Sequence, residues 1–277
     1  DMECSMEANP ESINDRLIND IWALGVNRLS IGVQSFDDDI LALLGRAHSA
    51  QDACNAVRTA KERFDNVSVD LMCGIPGQSL ASFEASVAQA IDLGVSHVSV
   101  YPLTIEPGTA FYHDVVTGAL EEPDDDCEAQ HMECAEKLLR AAGYERYEVA
   151  SYAKPGFECR HNIAYWTGVP YLGLGRSAAT MTQNSERRMR KKDGLITDDL
   201  NASQMRAEDL MLSMRMAQGV SVEAVKQAQG LLPRVHETFE ALCTLGLCVC
   251  EDGRYKPTEK GWLCGNELYG RIFDLAS

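Results

Sequence analysis

Three short stretches end in polar side chains suited to recognising a small charged molecule. S-M-E-A-N-P places Glu7, R-L-S-I-G-V-Q-S-F places Gln34, S-V-D-L-M-C-G-I-P-G-Q places Asp70, and Arg46 follows Gln34 by twelve residues. Two carboxylates, an amide and a guanidinium could hold an amine, ribose hydroxyls or an amino-acid carboxylate through paired hydrogen bonds. Singly, each suits a loop hydrogen bond or a helix cap equally well; at matching strand ends they are harder to explain as structure alone. A second constellation is E-C-R-H-N-I-A-Y-W-T-G, residues 158–168, which follows a turn at Pro155 and Gly156. Either His161 donates to a backbone carbonyl while Tyr165 and Trp166 fill a packed corner, or the imidazole reaches for a ligand.

The elements that must position these groups repeat one pattern: a run of β-formers, a polar or Gly-rich turn, then an amphipathic helical stretch. Residues 3–8 lead to 10–24, 28–33 to 37–44 and 50–64, 67–73 to 80–93, and 97–103 to a Pro-Gly-Thr turn. Strands alternating with helices at this spacing predict an α/β fold with parallel strands, either a βα-barrel or a doubly wound sheet. In both, the site lies at the carboxyl ends of the strands. Further on, the acid run 121–126 caps a predicted helix over 127–142 that stops at Gly143. Strand-like pieces follow at 147–153 and 171–174, and R-R-M-R-K-K within 185–199 reads as an exposed hairpin or loop with a solvated basic face.

From residue 203 the pattern changes to helices over 206–216, 222–229 and 234–245, an alternating hairpin around Asp252-Gly253, and a last helix from 259. Three short helices and a hairpin predict a winged-helix-like α+β domain. Its acids Glu208, Asp209, Glu223, Glu237 and Glu240 favour packing against the main domain over DNA binding. The expected division is 1–118, 119–200 and 201–277.

Composition excludes several partners. Against 25 Lys and Arg stand 42 Asp and Glu, a net charge of -17 that repels nucleic acid and anionic membrane surfaces. There is no run of 18 apolar residues, and the opening D-M-E-C-S-M-E lacks the basic and apolar regions of a secretory leader, so the expected location is the cytoplasm. Ten cysteines without a disulfide-framework rhythm are expected to be mostly small buried hydrophobes.

The stretches S-M-E-A-N-P, N-R-L-S-I-G-V-Q-S-F, L-G-R-A-H, D-L-M-C-G-I-P-G-Q and I-E-P-G-T resemble the radical S-adenosylmethionine (SAM) enzymes of the oxygen-independent coproporphyrinogen III oxidase family. The resemblance runs through almost the whole chain, to T-E-K-G-W in the C-terminal domain. It implies a radical-SAM (β/α) barrel in which Glu7, Gln34, Arg46 and Asp70 contact SAM and the segment near Thr104 touches the adenine through its backbone. Arg46 would pair with the methionyl carboxylate, Glu7 accept from the ammonium or a hydroxyl, and Asp70 accept from the ribose. His161-Asn162-Ile163-Ala164-Tyr165-Trp166 matches the H-N-x-x-Y-W pattern of the HemW-like haem-chaperone branch. This implies haem held by His161 as a possible axial iron ligand, with Tyr165 and Trp166 against the porphyrin, and a haem-acceptor protein as partner.

Two departures bear on these expectations. The family's C-x-x-x-C-x-x-C ligands for a 4Fe–4S cluster do not occur: Cys248 and Cys250 are too close, Cys127 and Cys134 are seven apart, and Cys4 stands alone. The chain is therefore expected to be an N-terminally truncated piece, a partial barrel less stable than its parent, with cluster ligands upstream of residue 1 and no radical chemistry of its own. Where the family reads G-x-G-P-G-A-H-S, residues 173–180 carry Arg176 and Ala179 in place of Pro and His. Three readings follow: a haem chaperone, a coproporphyrinogen III dehydrogenase that removes hydrogen from propionate side chains before decarboxylation, and a degenerate non-catalytic binding module.

Overall fold

The computed structural model describes residues 2–121 and 124–276, without the side chain of Ala110. The chain forms two compact units, Asp1–Glu158 and Cys159–Ser277.

The first unit runs β1 (Ser5–Ala8), a 3-10 turn (Pro10–Ser12), α1 (Asp15–Ala23), β2 (Arg28–Gln34), α2 (Asp38–Leu43), α3 (Ala50–Lys61), β3 (Val67–Cys73), α4 (Leu80–Asp92), β4 (His97–Pro102), α5 (Ala110–Val116), α6 (Asp125–Ala141), β5 (Glu145–Glu148) and β6 (Ser151–Ala153). Its six-stranded sheet has the order β1-β2-β3-β4-β6-β5, with β1 to β4 parallel and β6 and β5 antiparallel. The residue classes fix the two faces. Leu29, Ile31 and Val33 of β2, Val67, Val69 and Leu71 of β3, and Val98 and Val100 of β4 are buried with Val57 of α3, Phe83 and Val87 of α4 and Leu139 of α6. Each such side chain contributes about 1.5–3 kcal/mol on burial. The alternate positions, Arg28, Ser30 and Gly32, Ser68 and Asp70, and His97 and Ser99, form the opposite, polar face.

That polar face is hydrogen-bonded rather than oily. His97 Nδ1 lies 2.7 Å from Ser68 Oγ and its Nε2 2.9 Å from the Tyr147 hydroxyl. Burial takes the imidazole pKa down to about 3, so the ring is neutral.

Helix starts follow the sequence signals: Ser49 and Asp52 close a capping box on α3, and Asn14 caps α1. In the acid run expected to cap α6, Asp124 is the N-cap, while Glu122 and Pro123 lie outside the described residues. The strand expected over 147–153 is a tight hairpin, β5 and β6, whose register shifts between Arg146 and Glu148. Because β6 pairs with β4, β5 and β6 belong to the first sheet, and the expected 119–200 segment is divided between the two units.

The second unit runs α7 (Arg160–Trp166), β7 (Ala179–Gln183), β8 (Arg187–Lys192), β9 (Leu195–Asn201), α8 (Ala202–Ser213), β10 (Val220–Ser221), α9 (Val222–Ala228), α10 (Val235–Thr244), β11 (Cys248–Glu251), β12 (Arg254–Pro257), α11 (Glu259–Leu263) and α12 (Gly265–Phe273). β7, β8 and β9 form one antiparallel sheet, and β10, β12 and β11 another. The expected strand at 171–174 is reduced to a single bridge between Tyr171 and Met181, since Gly173 and Gly175 give it little to pair.

The basic run corrects a sequence expectation. It forms the hairpin β8–β9, but Arg188 is only 1% exposed, paired to the buried Glu208 and, at 2.6 Å, to Asp209. Arg190 also holds Glu208, at 2.9 Å. The cysteines correct another: all ten are free, and only Cys73, Cys159 and Cys248 are buried. Cys250 and Cys264 are exposed. No helix among the described residues is long and apolar enough to cross a membrane.

Candidate functional site

The carboxyl ends of β1, β2 and β3 open a cavity of about 460 Å³ lined by Met6, Glu7, Ala8, Asn9, Ser12, Leu17, Gly32, Gln34 and Asp70. Three of the residues singled out at strand ends, Glu7, Gln34 and Asp70, therefore meet. Glu7 is exposed and faces Ser30 across the β1–β2 pair. Gly32 leaves the floor open: a Cβ there would stand 2.9 Å from Gln34 Nε2 and 3.5 Å from Asn9 Oδ1.

Gln34 is aimed by its backbone. The β2–β3 register shifts between Ile31 and Gln34, Gln34 has φ 67°, and the Ser35 N–H donates to the Val33 carbonyl at 2.8 Å, closing a γ-turn. A non-glycine residue in this region costs roughly 1–3 kcal/mol. Gln34→Gly is thus expected to stabilise the first unit by about 1 kcal/mol in urea unfolding, after the flexibility glycine adds to the unfolded chain. The same change is expected to weaken ligand binding about tenfold by removing the amide.

Asp70 is nearly enclosed. Both carboxylate oxygens accept from Ser30 Oγ at 3.2 Å, and Ser99 donates as well. Burial raises its pKa to about 6 and Glu7 adds to the rise, while Ser99, Ser30 and Arg28 restrain it.

Arg46 is outside the lining but adjoins it, its Nη2 donating to Asn9 Oδ1 at 2.7 Å and to the Gly32 carbonyl at 3.2 Å. Thr104, two residues past β4, is exposed and is not part of the lining. Sequence reasoning missed Asn9, Ser12 and Gly32. The N-P dipeptide after Glu7 and the glycine two residues before Gln34 were the signals that could have found them.

In the second unit, residues 161–166 lie on α7. His161 and Tyr165 are exposed, with ring centroids 4.8 Å apart, and Tyr165 lies 4.7 Å from Tyr171 with the rings tilted by 36°. Trp166 is half-buried beneath the Arg215 guanidinium, 5.2 Å from the ring centroid, and Arg215 also covers Tyr269 at 4.4 Å. The motif thus divides into an outward pair, His161 and Tyr165, and an inward anchor, Trp166. In the departing segment 173–180, a Cβ at Gly173 would strike the Ala179 carbonyl at 2.2 Å, and Arg176 is exposed.

Residues 1–90 match the family described as Radical SAM superfamily. The chain is 33% identical to "Heme chaperone HemW" of Bacillus subtilis over 97% of its own length and 75% of that protein. The chain belongs to the HemW-like radical SAM family. The heme chaperone HemW of Escherichia coli is 43% identical over 64% of this chain and 46% of that protein. The fold matches the Escherichia coli coproporphyrinogen III oxidase HemN, a radical SAM enzyme, with TM-score 0.75 over all of this chain and 70% of that one, at 20% identity.

Membership in the HemW-like radical SAM family implies SAM and a 4Fe–4S cluster as cofactors. The pocket suits SAM: Glu7 and Asp70 offer negative charge to a sulfonium and an ammonium, Gln34 offers donors and acceptors, and Gly32 leaves room. SAM supplies an adenosyl group activated by its sulfonium. The cluster has no such match, since no group of three His, Cys, Asp or Glu among the described residues could hold a metal ion.

Proposed function

We propose that the chain is part of a haem chaperone that binds SAM at the β1–β3 strand ends, carries haem on the outward face of α7, and hands it to an acceptor protein. The observation that carries the haem reading is the exposed imidazole of His161 at the head of an aromatic row through Tyr165 and Tyr171. A neutral imidazole is an axial ligand for haem iron, and flat rings suit a porphyrin face. Trp166, fixed under Arg215, would orient the helix that presents His161. The relatives called heme chaperones support the same reading.

In the cofactor pocket, Glu7 would accept from the ammonium or a hydroxyl, Asp70 from the ribose, and Gln34 would hydrogen-bond the nucleoside. Among the described residues the Arg46 side chain donates from Nη2 to Asn9 and Gly32, and its Nη1 would donate to the methionyl carboxylate. The exposed backbone after β4, at Thr104, would meet the adenine edge. The order helix, strand, two helices and hairpin over 202–257 supports the winged-helix-like reading of the C-terminal part. The bacterial relatives called heme chaperone HemW support a cytoplasmic location.

Haem titration of the purified chain tests the proposal. A Soret shift is expected in the native chain, and His161→Ala is expected to weaken binding at least about tenfold, the loss of one metal–ligand contact. No binding in the native chain would favour a non-catalytic module. Protoporphyrinogen made from coproporphyrinogen by the full-length protein would favour the dehydrogenase instead.

A further inference from the structure

The stretch L-G-R-A-H ends at His48, a residue the cofactor reading leaves without a task. Its side chain is wholly enclosed, yet it packs no oily cluster. Nδ1 lies 3.2 Å from Oε2 of Glu11, and Nε2 lies 3.1 Å from the carbonyl oxygen of Val33. Both partners offer oxygen atoms, and the ring bridges them through its two nitrogens.

These two partners belong to two segments that border the cavity. Glu11 lies in the 3-10 turn Pro10–Ser12, flanked by the lining residues Asn9 and Ser12, and Val33 precedes Gln34 in the γ-turn. Arg46, two residues earlier, repeats the arrangement, reaching Asn9 on one side and the Gly32 carbonyl on the other. The short segment 46–48 therefore grips both segments twice.

We propose that His48 is a positioning residue of this pocket: through Glu11 and the Val33 carbonyl it fastens the 3-10 turn to the end of β2. In doing so it sets the gap between Asn9 and Gln34 that the nucleoside must fit. The assignment of that nucleoside as SAM rests on the cofactor reading above. A side chain that touches no ligand thereby controls affinity, because a loosened wall forfeits hydrogen bonds made by its neighbours.

Calorimetric titration of the whole chain with SAM, together with amide hydrogen exchange without ligand, tests this. His48→Ala is expected to weaken SAM binding about tenfold, the worth of a hydrogen bond to a charged group. It should also speed exchange at Ser12 and Ile13, whose amides close the 3-10 turn on the carbonyls of Asn9 and Pro10. Glu11→Gln keeps an acceptor for the ring and should retain affinity, whereas Glu11→Ala should match His48→Ala, and the double variant should be no worse than either. Val57→Ala, in the core on α3, should lower the melting temperature while leaving affinity unchanged. Affinity that follows melting temperature alike in His48→Ala and Val57→Ala would make His48 merely structural and overturn the inference. Unchanged exchange in His48→Ala would overturn it independently of any ligand. Failure of the native chain to bind SAM would instead sink the cofactor reading.

Discussion

Arg188→Ala is expected to destabilise the second unit by about 3–5 kcal/mol, because it leaves Glu208 buried with half of its compensation gone. The side chains of Arg188 and Glu208 are 2% and 8% exposed, so water cannot replace the lost partner. Urea unfolding followed through Trp166 and Trp262 in a Trp22→Phe background would read this unit. The control is Arg187→Ala: Arg187 pairs with Asp199 at the surface, with side chains 56% and 38% exposed, and such a pair is worth under about 1 kcal/mol. Equal losses in the two variants would refute the distinction. Burial pushes the Glu208 carboxyl up, but its bonds to Arg190 and Arg188 outweigh burial and hold it below its ordinary value. A depressed carboxylate stabilises the fold above its unfolded pKa, and that contribution fades as pH falls through the folded value. The second unit should therefore weaken in acid below about pH 4.

Asp70→Asn is expected to act in the opposite sense on the first unit. Asp70 is raised to about 6, so in the folded chain it stays protonated where an unfolded aspartate, near 3.9, is ionised. Stability then falls as pH rises from about 4 to about 6 and stays lower above that. The penalty at neutral pH is at most about 3 kcal/mol, from 1.36 kcal/mol for each pKa unit. Asparagine keeps the shape and removes the charge, so the variant should gain stability at pH 7 and nearly none at pH 4. A cationic ligand favours the ionised form, so affinity for SAM should rise with pH through about 6 in the native chain and lose that dependence in Asp70→Asn. A native chain whose unfolding midpoint is flat between pH 4 and 7 would contradict this account.

The polar strand ends were legible because β2 and β3 alternate Leu, Ile and Val with small or polar residues, a strand pattern that leaves Gln34 and Asp70 conspicuous. The turn after β1 was less so: Asn9 and Ser12 join the pocket through a fold-back whose geometry depends on Arg46 and His48, more than thirty residues away. The basic run misled for a similar reason. Nothing local to R-R-M-R-K-K separates Arg188 from its neighbours; the acids that enclose it, Glu208 and Asp209, arrive on α8 twenty residues later. The helical setting of 160–166 was also missed, because α7 has no side-chain cap and spans barely two turns.

A one-residue slip of a strand turns every side chain to the other face, so a buried apolar face already constrains register. Here the polar side adds to that constraint. Moving β3 or β4 along by one residue would drive Asp70 or His97 into hydrocarbon and strand their serine partners, at a cost far above that of a mispacked methyl group. The polar residues of this face therefore also proofread the assembly of the sheet.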